Sequence, residues 1–282
     1  MTFKTILAAA SGGSASAGTL DLACRLALRF GAHLEGFHVR IDPNDVMLAA
    51  GDGFGLTMPV AWLEEMATEA AALSARMRAA FDDAVGRHGL AMAGVPTAPS
   101  AAWREETGQP AFLLPSRARF FDLAVLGRSE RVVERPSTAV IEATLLQSGR
   151  PLLLAPEQPP ATIGAAVAFG WDGSPTALRA LAAALPFMAP AGSLSLITIG
   201  ESDDLEIPSI LEYLAWHKIA AKHHPIAAEG KPGRRLLAEA GALGADLLVM
   251  GGYGHASWRE QLFGGATQDV IGAATLPILM VH

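Results

Sequence analysis

Cysteine is almost missing from this 282-residue chain: Cys24 stands alone, which excludes an intrachain disulfide and any Cys-rich metal cage. On an apolar helix face it reads as core packing. Charged residues make up only 17% and the net charge is −7 at pH 7, with no basic block anywhere. Nucleic-acid phosphates are gripped through clustered Lys and Arg, so no nucleic-acid partner is expected. Uninterrupted apolar runs long enough for a bilayer are lacking too. The longest uncharged run, Ala180 to Gly200, carries Pro186, Pro190 and Gly192 and reads as helix, turn and strand. The apolar stretch Ile6 to Ala10 spans five residues before Gly12-Gly13, short of the roughly 7–15 of a secretory h-region. A cytoplasmic protein without a membrane partner is expected.

What the chain does have is hydrophobic content, 51%, enough for two cores in two domains. It also repeats itself. "DLAVLGRSERVVERPSTAVIEATLLQSGRPLLLAP" (Asp122 to Pro156) lies over "DLLVMGGYGHASWREQLFGGATQDVIGAATLPILMVH" (Asp246 to His282). "ILAAASGGSAS" lies over "VAFGWDGSPTA" (Val167 to Ala177), and "GAHLEGFHV" over "AGSLSLITI". Two copies make a tandem duplication, not a solenoid. The predicted domains are 1–156, with a Gly- and Pro-rich insertion near 42–63, and 165–282, joined by "EQPPATIG" (Glu157 to Gly164).

In the second copy, apolar strands are predicted at Ala165–Gly170, Ser193–Ile199, His223–Ala228, Asp246–Gly251 and Pro277–His282. Amphipathic helices are predicted at Pro175–Leu185, Pro208–Ala221, Gly233–Leu243 and Ala266–Ala274. Continuous apolar strands alternating with helices mean a parallel sheet covered on both faces. Right-handed crossovers then give a doubly wound α/β domain. Ligands of such sheets bind at the carboxyl ends of the strands. That edge should collect Asp172, Ile199 and the glycine series Gly251, Gly254, Gly264 and Gly265. Glycines there let backbone N–H groups face an anion, and a helix starting near Ala266 adds its N-terminus, with Thr267 in the first turn. Turns and caps use the same residues, and Asp172 or Ser174 also fits a plain helix cap. Walker A and the dinucleotide fingerprint are absent from this segment.

"VAFGWDGSP", "DLLVMGGYG" and "LFGGATQDVI…PILMVH" together resemble the universal stress protein family in its tandem two-domain form. The resemblance implies two five-stranded, Rossmann-like domains of the adenine nucleotide alpha-hydrolase-like kind, forming a pseudo-twofold internal dimer in which "PLLLAP" and "PILMVH" pair. It implies an adenine nucleotide, ATP foremost and with Mg²⁺ as an option, in the second copy. Asp172 would face base and ribose, Ile199 would line the adenine slot, and Met250 and Gly251 would close the ribose side. Gly254, Gly264, Gly265 and Thr267 would hold the phosphates. Gly265 stands where nucleotide-binding members carry a Ser or Thr hydroxyl, a contact worth about 1–3 kcal/mol. Trp171 is larger than the usual residue and could crowd the slot or stack on a base.

Copy one departs further. Ser11 replaces the Asp, Glu130 falls where Gly254 lies, and Thr138 and Ala139 fall opposite Gly264 and Gly265. A carboxylate in a phosphate cradle repels its ligand, so copy one is expected to bind no nucleotide in this mode. Its loop Ser11-Gly12-Gly13-Ser14 also resembles that of PP-loop ATP pyrophosphatases, with Ala15 where that family has Asp. His223-His224 looks like a metal pair, but neighbouring strand residues point to opposite faces. His217 and Trp216 read as packing and a wet helix tip; His255 could approach a phosphate, and Ser257–Phe263 could order over one. No nucleophile–base arrangement or metal-ligand spacing is evident. The expected function is a regulatory stress-response protein, at most a slow ATPase. The alternative is a scaffold or small-ligand-binding protein acting through protein contacts, with a ligand held under the insertion as one form of it. A protein partner and a further homodimer fit either reading.

Overall fold

The computed structural model describes residues 2–13, 15–43, 59–93, 99–128, 138–188, 191, 193–200, 206–253 and 265–282. The chain divides into two compact units, Lys4–Ser148 and Gly149–His282, the latter joined by Met1–Phe3.

In the first unit, β1 (Thr5–Ala9), α1 (Ala15–Phe30), β2 (His33–Arg40), α2 (Val60–His88), β3 (Ala91–Met92), β4 (Ser100–Thr107), α3 (Pro110–Ala118), β5 (Leu123–Gly127) and α4 (Thr138–Gln147) follow one another. The sheet order is β3-β4-β2-β1-β5, and every pair is parallel. β5, and β1 beyond Thr5, are apolar and buried, as strands covered on both faces must be. Along β2, alternation sends Gly36 toward α2, where a Cβ would meet the Phe81 ring at 2.5 Å. Glu35 points the other way, toward Arg117 of α3. α2 begins at Val60, directly after the extended Pro59, so it takes over the end of the expected insertion. The rest of that insertion, 44–58, lies outside the described residues.

The second unit holds β6 (Leu152–Ala155), β7 (Ala166–Gly170), α5 (Pro175–Met188), β8 (Ser193–Ile199), α6 (Ile207–Trp216), β9 (Ala221–Ile226), α7 (Pro232–Ala242), β10 (Leu247–Gly251), α8 (Ala266–Ala273) and β11 (Ile278–Val281). Its order is β6-β11-β10-β7-β8-β9. All pairs are parallel except β6 with β11, where Ile278 faces Leu154 and Met280 faces Leu152. β6, the end of the first sequence repeat, thus pairs with the end of the second.

Three expected boundaries move. α5 runs through Pro186 to Met188, because Phe187 and Met188 are buried and one missing N–H near a helix end is tolerable. α6 stops at Trp216, and Lys218 turns the chain at φ 60°. β9 therefore starts two residues early, at Ala221 opposite Leu194. Pro225 sits within it without harm, since β9 is an edge strand.

The repeated Asp has a repeated task. Asp122 Oδ2 accepts the N–H groups of Lys4 and Thr5 at 2.7 and 3.0 Å. Asp246 accepts those of Gly164, Ala165 and Ala166 at 2.8–3.1 Å. Each carboxylate pins the start of its copy's first strand against the strand it precedes.

Cys24 is fully buried in α1, and burial, with the Asp21 charge adding, pushes its thiol up to about 12. The thiolate is the reactive form. Ellman's reagent at pH 8 should therefore label no thiol in the native protein and one per chain in urea. Rapid stoichiometric labelling of the native protein would contradict this placement.

Candidate functional site

Strand order reverses between β7 and β10, so the second unit's crevice opens past their carboxyl ends. Trp171 continues β7, donating its N–H to Ile197 O at 2.9 Å. Its indole is buried beside Phe169, ring centroids 6.0 Å apart. This corrects the expectation that it might stack on a base: the ring belongs to the core.

Asp172 is exposed after β7. Its Oδ1 accepts the Ser174 N–H at 3.0 Å across Gly173, whose φ is 76°. Ser174 Oγ accepts the Ala177 N–H at 3.1 Å and meets Thr176 Oγ1 at 2.9 Å. Ser174 is thus the cap of α5, and Asp172 shapes the turn before it. Ile199 is half-buried at the end of β8.

β10 ends in buried Met250 and then Gly251. A Cβ on Gly251 would stand 2.6 Å from the Ala177 N and 2.7 Å from Thr176 Oγ1. Glycine is required there because the strand end abuts the first turn of α5. The first unit repeats the device: a Cβ on Gly127 would overlap Thr19 Oγ1 and approach Ala15 in α1. Beyond Gly251, Tyr253 adopts φ 52° and donates its N–H to Thr267 Oγ1 at 3.1 Å. Thr267 is buried in the first turn of α8, and Gly265 stands at the N-cap with φ −66° and ψ 157°. Two helix N-termini, those of α5 and α8, are therefore tied to the three residues Gly251 to Tyr253. Each presents the positive end of a helix dipole there. Asp269, further along α8, is paired with Lys231 at 3.2 Å.

Asp172, Ile199, Met250, Gly251, Gly265 and Thr267 are thus all placed at the carboxyl ends of the strands or at the start of α8. Gly254 and Gly264 lie outside the described residues, as do His255 and Ser257–Phe263. Among the described residues no group of three His, Cys, Asp or Glu could hold a metal ion. His223 instead meets Thr198 Oγ1 at 2.9 Å. No described helix is long and apolar enough to cross a membrane. The arrangement suits holding an anion.

The first unit is built differently at the same edge. The Gly12 N–H is already donated to Ser16 Oγ at 2.9 Å. A Cβ on Gly12 would meet Leu73 of α2 at 2.7 Å, so an apolar side chain covers the glycine loop. That removes the phosphate-facing surface a PP-loop needs. Thr138 and Ala139, expected opposite Gly264 and Gly265, are the first described residues of α4. Glu130 lies outside the described residues.

The two Asp anchors of the strands and the packing role shared by Gly127 and Gly251 are features that sequence reading passed over, Gly251 being read there only as a site residue. Their recurrence in both copies was the available signal.

Residues 206–282 match the universal stress protein family model. The fold is similar from end to end to that of a universal stress protein from Archaeoglobus fulgidus DSM 4304, at 17% identity and a TM-score of 0.70, covering 98% of this chain and 97% of that one. A putative universal stress protein from Pseudomonas aeruginosa UCBPP-PA14 is similar over 99% of this chain and 93% of its own, at 14% identity and a TM-score of 0.57. No curated protein matches the chain in sequence.

Proposed function

From the match of residues 206–282 to the universal stress protein family model, we propose that the second unit binds an adenine nucleotide, ATP foremost. One observation carries the reading: the first turns of α5 and α8 meet at Gly251–Tyr253, past the ends of β7 and β10. Polyphosphate would take the N–H groups there. Asp172 at the mouth would hold ribose and base donors, Ile199 would line the adenine slot, and Met250 and Gly251 would close the ribose side. Gly254, Gly264, Gly265 and Thr267 would complete the phosphate side. Mg²⁺, when bound with the nucleotide, would supply charge neutralisation between phosphates. These residues bind and orient the nucleotide, which suits a regulatory protein with hydrolysis slow at most. A stress-response role in the cytoplasm, exerted through a protein partner or a homodimer, follows the same reading.

The test is nucleotide retention. Protein purified without added ligand is denatured and the released molecules are identified by mass spectrometry, in parallel with Gly254→Glu. Adenine nucleotide near one per chain in the wild type and absent from the variant is expected, since a carboxylate among phosphates repels them. Nothing released, and no heat on titration with millimolar ATP, would overturn the assignment.

A further inference from the structure

The first unit contains a cavity of about 730 Å³ at the carboxyl ends of β1, β2 and β5, the edge where doubly wound sheets hold their ligands. This is a volume typical of small-molecule sites. Its walls are mainly apolar: Phe37, Met66, Leu73, Leu114 and Leu126 among them, with α2 forming one side. The glycine loop beside it offers little to a polyphosphate. The Gly12 N–H is taken by Ser16, and Leu73 lies over that glycine.

Two arginines break the apolar pattern, and both are short of a partner. Elsewhere in the first unit, Arg78, Arg87, Arg104 and Arg117 each hold a carboxylate at 2.5–3.0 Å. Arg40, half-buried at the end of β2, has Glu105 only at 3.9 Å, beyond hydrogen-bond reach. Arg76, exposed on α2, pairs with no carboxylate among the described residues. Both line the cavity. Among the described residues its one lining carboxylate is Glu69, also on α2. Glu69 stands seven residues before Arg76, about 10 Å away along the helix, so it does not neutralise that end. A cavity apolar inside and cationic at its edge is the complement of an amphiphilic anion.

We infer that this cavity binds a small monocarboxylic acid with an apolar body, of the aromatic or short fatty acid class. The body would lie against Phe37, Leu114 and Leu126, and the carboxylate would sit on Arg76, with Arg40 as the second cation. Arginine suits that task because its planar fork matches a carboxylate. The site is built wholly from the first unit and does not depend on the nucleotide reading. It gives α2 a purpose at this edge. Leu73 closes the glycine loop to phosphate and walls a space for hydrocarbon, while Arg76, three residues on, supplies the charge.

The probes are 2-naphthoate and its methyl ester, matched in ring but differing in charge. Binding is followed by fluorescence and calorimetry on the full chain. The wild type should bind 2-naphthoate about tenfold more tightly than the ester, and the advantage should shrink in high salt. Arg76→Gln with Arg40→Gln should remove the difference while the ester binds as before. Ala70→Trp, which fills the cavity from the half-buried face of α2, should abolish binding of both while leaving the circular dichroism spectrum unchanged. Millimolar ATP should displace neither probe, which separates this site from the nucleotide crevice. Absence of 2-naphthoate binding at 1 mM (about the weak limit for a specific site), equal affinity for both probes, an undiminished preference in the double arginine variant, full binding by Ala70→Trp, or displacement by ATP would each overturn the inference.

Discussion

A chain lacking Pro277 to His282 should pellet with the insoluble fraction. β11 is the strand between β10 and β6, and Ile278, Leu279 and Met280 are fully buried, with Val281 nearly so. Burial of each such side chain is worth about 1.5–3 kcal/mol, so removing four forfeits roughly 6–12 kcal/mol. That is comparable to the entire stability of a typical domain, about 5–15 kcal/mol. The loss does not stop at burial. β10 loses its parallel ladder from Leu248 to Gly251, and β6 its antiparallel one from Leu152 to Leu154. Two apolar edges then lie open, each a template for pairing with another chain. A milder variant grades the effect: Leu279→Ala should cost about 2–5 kcal/mol, read as a shift in the urea midpoint. A soluble, monomeric truncation with native near-ultraviolet dichroism would refute the placement of β11.

Arg117→Ala should be the most damaging single change of a charged residue in the first unit. Its guanidinium grips Glu35 through both oxygens, Nε to Oε1 at 2.7 Å and the terminal nitrogen to Oε2 at 2.5 Å. The hydrogen bonds to Glu35 hold the guanidinium above its ordinary basicity, and the same group lies 5.2 Å from the Phe121 ring centroid. Glu35 is 7% exposed, inside β2. Removing one partner of a buried pair strands the other, at about 3–5 kcal/mol. The Arg117 side chain keeps 27% exposure, and solvent relieves part of that, so about 2–4 kcal/mol is expected. Urea unfolding of Arg117→Ala, and of the cycle Arg117→Leu, Glu35→Leu and Glu35→Leu/Arg117→Leu, checks it. The double variant should recover much of the loss, since an apolar pair needs no counter-charge. A cycle in which single losses simply add would show that the pair is not coupled.

Much of this architecture could be read before any coordinates. Period and apolar runs located β7, β8, β10 and β11 within a residue or so, because continuous apolar strands between amphipathic helices have few other uses. The duplication aligns Gly127 with Gly251 and Asp122 with Asp246, and the structure shows that each pair does the same work in both copies. Local pattern failed where packing outweighed propensity. Pro186 stays inside α5 because buried Phe187 and Met188 hold the turn, and the α6 boundary is set by the chain reversal at Lys218.

What the sequence by itself determined is the fold class, the repeat, and the set of residues that would gather at the strand ends, since topology alone brings strand ends together. What only the tertiary structure decided is which groups are already engaged. Asp172 is tied to Ser174, Thr267 to Tyr253, and the Gly12 N–H to Ser16, while Trp171 turns into the core. His38, unremarkable in a strand, is buried beside Trp103 with its Nδ1 on the Ala10 carbonyl. Hydrogen-bond satisfaction and burial are properties of residues distant in the chain, such as His38 with Ala10 and Gly12 with Leu73. No local pattern in the sequence carries them.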